Sequence, residues 1–407
     1  MGRVGMICKN PPMKHHFLLR AALRLLPALL LLPGAAAAAS APAPLPKVIG
    51  PYLQNPTPDG MTVCLLAQGA EDVRMTLDAE AGEIRGAAAA IPGTPWTAWK
   101  IRVAKLQPGS PHEYRVLYKL EGLDESAPVR TFRTPDPRAE TLRIIAFNDL
   151  HNRDATLAAL MRHVRPEDFE ASILLGDCMA DPSPKEGAYE VFRTWNAYVR
   201  QLDGAGKPIL YVRGNHETRG GFANRLGYLF DLPDLDPGRP WGEDRWQFTW
   251  RSGPVCFLAM DTGEDDDDKT PLTSYKNPAL WQQVRKNQTA WLAGQVKAGV
   301  GGDARWRVFL SHIPLYNSPW ISLRARDQWA PLLKDYHPDI MLSGHDHSWR
   351  KPQTPGVAAP WPSLVGGGPA LQGSEEGTVM LLQADATSLK VRLLGAKDGR
   401  LLTEFSK

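Results

Sequence analysis

Leu142-Arg143-Ile144-Ile145-Ala146-Phe147-Asn148-Asp149-Leu150-His151 is a strand-length apolar run that ends directly in a carboxamide, a carboxylate and an imidazole. The same pattern returns four times. Ser172-Ile173-Leu174-Leu175 is followed by Gly176-Asp177, and Pro208-Ile209-Leu210-Tyr211-Val212 by Arg213-Gly214-Asn215-His216-Glu217. Trp306-Arg307-Val308-Phe309-Leu310 runs into Ser311-His312, and Ile340-Met341-Leu342 into Ser343-Gly344-His345-Asp346-His347. Open α/β sheets bind ligands outside the carboxyl ends of their strands, so five such ends are expected to converge in space. Of the eight histidines that follow residue 40, five lie in these motifs. A single Gly-Asp or His-X-His would read as a turn or a solvated loop. Their joint occurrence at strand ends reads as a site.

Between these strands the period changes. Leu157, Leu160, Met161 and Val164 repeat at helical spacing behind Asp154, which reads as a helix cap. Val191, Trp195, Tyr198 and Val199 mark one face of a second helix, and Val255–Met260 is another strand. Strand–helix alternation predicts an α/β layered domain over residues 140–407, closed by a hairpin from Val379 to Phe405 with a Lys397-Asp398-Gly399 turn. Residues 47–136 read differently. Met61–Leu66, Trp99–Val103 and Tyr114–Tyr118 are short alternating runs separated by Pro/Gly turns, and Arg130–Pro135 resembles a last strand. That pattern predicts an all-β antiparallel sandwich without a cluster of ionisable groups. Tyr114 reads as its buried corner tyrosine, and Ala41–Pro46 as a linker ahead of it.

The composition is that of a globular chain. Of 407 residues, 43% are hydrophobic and 22% charged, which excludes wholesale disorder. Glycine and proline, 36 each, exceed the usual share and disfavour a helical bundle. The net charge of +3 is too small and too scattered to indicate a nucleic-acid partner. Much of it is local: residues 1–40 hold Arg3, Lys9, Lys14, Arg20 and Arg24 and no acid, and without them the chain is near −2. Basic residues, then Leu25–Leu32, then Ala35–Ala39 have the order of a cleaved signal peptide, with cleavage expected near Ala39 to Ala41. Translation from Met13 would give a more compact signal. The expectation is a secreted or periplasmic protein with no stable membrane anchor after cleavage. Only Cys64, Cys178 and Cys256 follow, so at most one disulfide can form.

Carboxylate, imidazole and carboxamide donors suit Zn, Mn or Fe rather than copper(I) or an iron–sulfur cluster. Two ions, each needing four or more ligands, absorb the set, and Asp177 has the two oxygens a bridging ligand needs. Cys178 reads as packing.

In this order, Asp-X-His, Gly-Asp, Gly-Asn-His-Glu, a strand-terminal His and Gly-His-X-His resemble the calcineurin-like metallophosphoesterase superfamily over residues 140–407. Pro51-Tyr52-Leu53-Gln54-Asn55-Pro56, Trp349-Arg350 and Gly366-Gly367-Gly368-Pro369 resemble its purple acid phosphatase branch, with a fibronectin-III-like N-terminal domain at 47–136. The resemblance implies a layered β-sandwich flanked by helices. It also implies one metal on Asp149, His151, Asp177 and His347 and a second on Asp177, Asn215, His312 and His345. His216 would stabilise the transition state or protonate the leaving group. Two such cations can clamp a phosphate and make a water between them acidic enough to attack phosphorus in line. A small phosphate ester is the implied substrate, with an acid-phosphatase-like monoesterase favoured over a diesterase, a nucleotidase or a non-catalytic binding module. Purple acid phosphatases carry a tyrosine three positions after the bridging aspartate. Ala180 stands there in this chain, so no purple colour is expected.

Several weaker signals surround the motifs. Glu264 to Asp268 read as a solvated acidic loop. Trp320, Tyr316 and Trp349 could stack on an aromatic leaving group or pack. Arg153 and Arg213 could grip a second phosphate or serve the structure. Glu217 and Asp346 could orient neighbouring histidines. Asn287-Gln288-Thr289 is a glycosylation sequon in a helix-like stretch.

Overall fold

A computed structural model describes residues 44–78, 82–183, 189–233, 245–264, 278–353, 356 and 359–407. The expected signal peptide, its cleavage site and Met13 lie outside them, as do residues 265–268 of the acidic run. Residues 45–407 form one compact unit.

Its first part holds nine strands: β1 (Val48–Thr57), β2 (Gly60–Gln68), β3 (Ala70–Leu77), β4 (Glu83–Arg85), β5 (Ala87–Ala90), β6 (Trp96–Val103), β7 (Pro111–Leu120), β8 (Leu123–Ser126) and β9 (Arg130–Arg133). They pair in two antiparallel sheets, ordered β1-β2-β6-β5 and β4-β3-β7-β8, with β9 beside the first half of β7 on the edge that β8 also lines. Alternate side chains leave a strand on opposite faces, and the first sheet is buried on both. Leu53, Met61, Val63, Leu65, Ile101 and Val103 face Val73, Met75, Val116 and Phe132 of the second sheet. Ile49, Tyr52, Cys64, Leu66, Trp96 and Ala98 join the main core of the remaining chain.

That remaining chain contains β10 (Leu142–Phe147), α1 (Asp154–Met161), β11 (Ala171–Leu175), α2 (Tyr189–Gln201), β12 (Ile209–Val212), β13 (Phe248–Ser252) and β14 (Val255–Met260). There follow α3 (Pro278–Lys297), β15 (Trp306–Ser311), α4 (Leu323–Tyr336), β16 (Ile340–Ser343), β17 (Ser363–Val365), β18 (Thr378–Ala384), β19 (Leu389–Gly395) and β20 (Leu401–Ser406). One sheet runs β12-β11-β10-β18-β19-β20 and the other β13-β14-β15-β16-β17. In the first, β10, β11 and β12 are parallel; in the second, β14 to β17 are parallel. The expected layered sandwich is present, with period-2 packing on both faces of the second sheet. Val255, Phe257, Ala259, Val308, Leu310 and Leu342 meet Ile144, Ile173 and Leu175 across the sandwich. Leu258, Met260, Phe309 and Met341 instead cover Leu292 of α3 and Trp329, Leu333 and Tyr336 of α4.

The join between the two parts is specific. The Tyr52 hydroxyl donates to Leu229 O at 2.8 Å, and buried Gln54 donates to Ile209 O at 2.6 Å. Edge-on rings of Tyr52 and Trp195 stack at 5.2 Å, so α2 is held between two sheets. Tyr114 is buried as expected, but its hydroxyl donates to Ala205 O in this second part rather than closing a corner of its own sandwich. The reason is that a packed layer, not solvent, lies beyond that sandwich. Asp154 is the first helical residue rather than the cap; Arg153 holds the cap position and no side chain caps the turn. Cys64, Cys178 and Cys256 are all buried and free of disulfides. No helix among the described residues is long and apolar enough to cross a membrane.

Candidate metal centre

The strand ends bring Asp149, His151, Asp177, Asn215, His216, His312, His345 and His347 together. Asp149 and His151 follow β10, Asp177 follows β11, and Asn215 and His216 follow β12. His312 follows β15, and His345 and His347 follow β16. Three groups of ligand atoms result, each mutually within 4.8 Å: Asp149/His151/His347, His151/Asp177/His216 and Asp177/His312/His345. Asp177 Oδ2 lies 3.0 Å from His312 Nε2 and 3.8 Å from His151 Nε2, so it faces both ends of the site. Asp149 Oδ1 lies 3.5 Å from His347 Nε2, is buried and accepts no hydrogen bond.

Backbone geometry aims these groups. Asp149, His151, Asp177, His345 and His347 all have positive φ, a region that costs a non-glycine residue free energy and clusters at functional sites. The Glu217 carboxylate holds two of the turns, after β11 and after β12: it accepts from Asp177 N and Gly214 N through one oxygen and from Met179 N through the other, each at 2.9 Å. Gly176, at φ +81°, has no room for a side chain, because a β-carbon would collide with the His312 ring. His312 Nδ1–H donates to Leu175 O at 3.0 Å, which turns Nε2 into the site.

The donor chemistry fits divalent or trivalent cations. One terminal atom of the Asn215 carboxamide lies 3.1 Å from His345 Nδ1, His312 Nε2 and Asp177 Oδ2. With the amide oxygen there, four lone-pair donors converge on one region, an arrangement that a cation satisfies. The carboxylates also draw positive charge inward. Burial works against a protonated His312, yet Asp177 and Asp149 push its pKa up to about 10. Burial likewise opposes a charged His151, and Asp149 and Asp177 still raise it. Burial favours the neutral form of Asp149, but His312 and His151 hold its pKa below the usual carboxylate value. Zn, Mn and Fe all suit such donors.

Several residues stand apart from their sequence expectation. Glu217 and Asp346 do not orient histidines: Glu217 holds the turns described above, and Asp346 accepts from Ser318 and Arg350. Arg213 is buried and paired with Asp261, so it cannot reach a phosphate, while Arg153 lies exposed. Glu264 is not solvated; it is 3% exposed and bonds the Arg219 guanidinium and the Asn215 amide. Tyr316 and Trp361 pack in the core behind α4, Trp349 is half-buried against the main core, and Trp320 is 67% exposed. Asn287 lies exposed in α3. Cys178 packs in the core, and Ala180 N donates to Asn152 Oδ1.

Sequence reasoning missed Asp181 and Arg219, and it took Glu264 for a solvated acid. Asp181 Oδ1 lies 2.8 Å from His216 Nδ1, and because a carboxylate only accepts, Nδ1 is the donor and Nε2 faces the site. The available signals were position alone: Asp181 four residues after Asp177, Arg219 three after His216, and Glu264 just past the end of β14.

The calcineurin-like phosphoesterase profile matches residues 142–349, half of the chain, and the chain belongs to this family of phosphoric ester hydrolases. No curated protein sequence is significantly similar to it. In fold it is similar to a purple acid phosphatase from yellow lupin (Lupinus luteus) seeds, with a TM-score of 0.67 at 15% identity over 88% of this chain and 74% of that one. It is also similar to PhoD, with a TM-score of 0.61 at 14% identity over 89% and 90% of the two chains.

Proposed function

We propose that this protein is an exported, binuclear metal-dependent phosphomonoesterase. The observation that carries the reading is the convergence of seven ligand-type side chains and His216 from five strand ends. Asp149, His151, Asp177 and His347 would hold one ion, and Asp177, Asn215, His312 and His345 the other. When bound, the ions supply Lewis-acid charge for the phosphoryl oxygens and a water acidic enough to attack near neutral pH. The chain's own residues do the rest. Asp181 orients His216, whose Nε2 lies 3.9 Å from Asp177 Oδ2; with the ring in its imidazolium form, Nε2–H can pass its proton to the leaving oxygen and leave the neutral ring with Nδ1–H on Asp181. Ala180 in place of a tyrosine supports a centre without a tyrosinate–iron charge-transfer band. The basic, apolar and small-residue order of residues 1–40 supports export, and the proposed sandwich domain at 47–136 anchors the catalytic layers.

The test is hydrolysis of para-nitrophenyl phosphate against bis-para-nitrophenyl phosphate. A higher kcat/KM for the monoester is expected; a higher value for the diester would make the protein a phosphodiesterase. Strong visible absorbance from the purified native protein would refute the non-purple assignment.

A further inference from the structure

Arg219 lies beside the site, part-exposed and tied to a buried carboxylate. Its Nε donates to Glu264 Oε2 at 2.7 Å, and its Nη2 donates to Glu264 Oε1. Glu264 is 4% exposed in its side chain, whereas Arg219 remains 29% exposed. The third nitrogen, Nη1, lies 3.3 Å from His216 Nε2, the atom turned toward the reacting group. The guanidinium therefore pairs along one edge with Glu264 and brings Nη1 beside the imidazole of His216.

The support beneath Glu264 is rigid. Asp261 pairs with buried Arg213, through Nε at 3.0 Å and Nη2 at 2.5 Å. Thr262 Oγ1 accepts from Ile313 N at 3.1 Å, and Thr262 O accepts from Arg285 of α3 at 2.6 Å. Gly263, at φ +67°, lies so close to Trp281 that no side chain fits. Strand end, neighbouring strand end and helix thus fix the carboxylate of Glu264, which pairs with Arg219. A site held to tolerance by locked supporting groups is what precise ligand contact demands.

We propose that Arg219 is a substrate-binding residue that donates to a non-bridging phosphoryl oxygen, and that Glu264 is the positioning residue that presents it. The proposal rests on the phosphoesterase reading and narrows its substrate class. A planar guanidinium matches phosphate geometry and stays charged at every working pH. A monoester offers it three non-bridging oxygens and up to two charges, while a diester offers two oxygens and one charge. Arg219 therefore favours monoesters.

Three variants test this: R219A, R219K and E264Q, each measured for bound metal, for orthophosphate affinity by calorimetry, and for kcat and KM on both nitrophenyl esters. R219A is expected to keep its metals and to bind orthophosphate about 10–100-fold more weakly, the value of a charge-assisted hydrogen bond. Its monoester kcat/KM should fall by a larger factor than its diester kcat/KM. R219K keeps the charge and an ion pair with Glu264, so it should fold; it is expected to recover only part of the loss because lysine lacks the fork. E264Q, with one acceptor oxygen left, should raise monoester KM more than it lowers kcat. Unchanged orthophosphate affinity in R219A and R219K would overturn the proposal, as would equal losses on the two esters. If the metal-loaded wild type hydrolyses neither ester, the phosphoesterase reading fails; the orthophosphate arm still decides whether Arg219 grips phosphate.

Discussion

The two catalytic sheets contribute different chemistry to one site. The ends of β10, β11 and β12 supply every carboxylate of the ligand set, Asp149 and Asp177, together with Asn215, His151 and His216. The ends of β15 and β16 supply imidazoles alone, His312, His345 and His347. The first set is anchored through Glu217 and Asp181. On the second side, His312 is oriented by a carbonyl of the opposite sheet, Leu175 O. Each half is incomplete, so the centre exists only where the sandwich faces meet. Any ion held there ties the sheets together, and metal binding should contribute to their packing as well as to catalysis.

The sharpest break of this relation is Asp177→Ala, which removes the carboxylate facing both halves. We expect loss of bound metal and a fall in kcat/KM of more than about 10³-fold, since metal charge stabilisation amounts to several kcal/mol. Retained metal with near-normal turnover would show that Asp177 joins nothing. His216→Ala lies on the carboxylate side but outside both ligand sets. It should keep its metal content and lose turnover by about 10²–10⁴-fold, the usual cost of a missing proton-transfer group. Glu217→Ala leaves three buried N–H groups without an acceptor, at about 1–3 kcal/mol each. Thermal denaturation should therefore show a drop of several degrees, and an unchanged Tm would remove Glu217 from its anchoring role. Stripping metal with a chelator is the mildest test. With ions saturating the site at about 100 times their Kd, binding contributes about 2.7 kcal/mol, so Tm should fall by roughly 5 °C. No shift would mean that the sheets pack independently of the ions.

How much of this was legible in the sequence differs between the same two parts. The strand ends were plain because a continuous apolar run terminates visibly where Asp, Asn or His begins, and β14 matches the apolar run Val255–Met260 to the residue. The all-β character of the first part was equally visible, but β3 was not: Ala70–Leu77 mixes Glu71, Asp72 and Arg74 into a strand with one half-wet face. The contacts that tune the site were hidden for a different reason. Glu264 reads as solvated because four more acids follow it, and only the fold shows that Arg219 and Asn215 surround it. The same holds for Tyr114, whose partner Ala205 lies in another layer, and for Glu217, whose acceptor role depends on turns of β11 and β12 being adjacent. Period and motif encode what one segment does; these pairings depend on which segments meet.

Metal stoichiometry joined to turnover tests the central claim most directly. Purified protein would be analysed for bound metal, stripped with a chelator, reloaded with Zn, Mn or Fe, and assayed on para-nitrophenyl phosphate at each stage. The account predicts two ions per chain, with monoester hydrolysis lost on stripping and restored on reloading. Two tightly bound ions with no turnover on either nitrophenyl ester, or full turnover by the stripped protein, would contradict it.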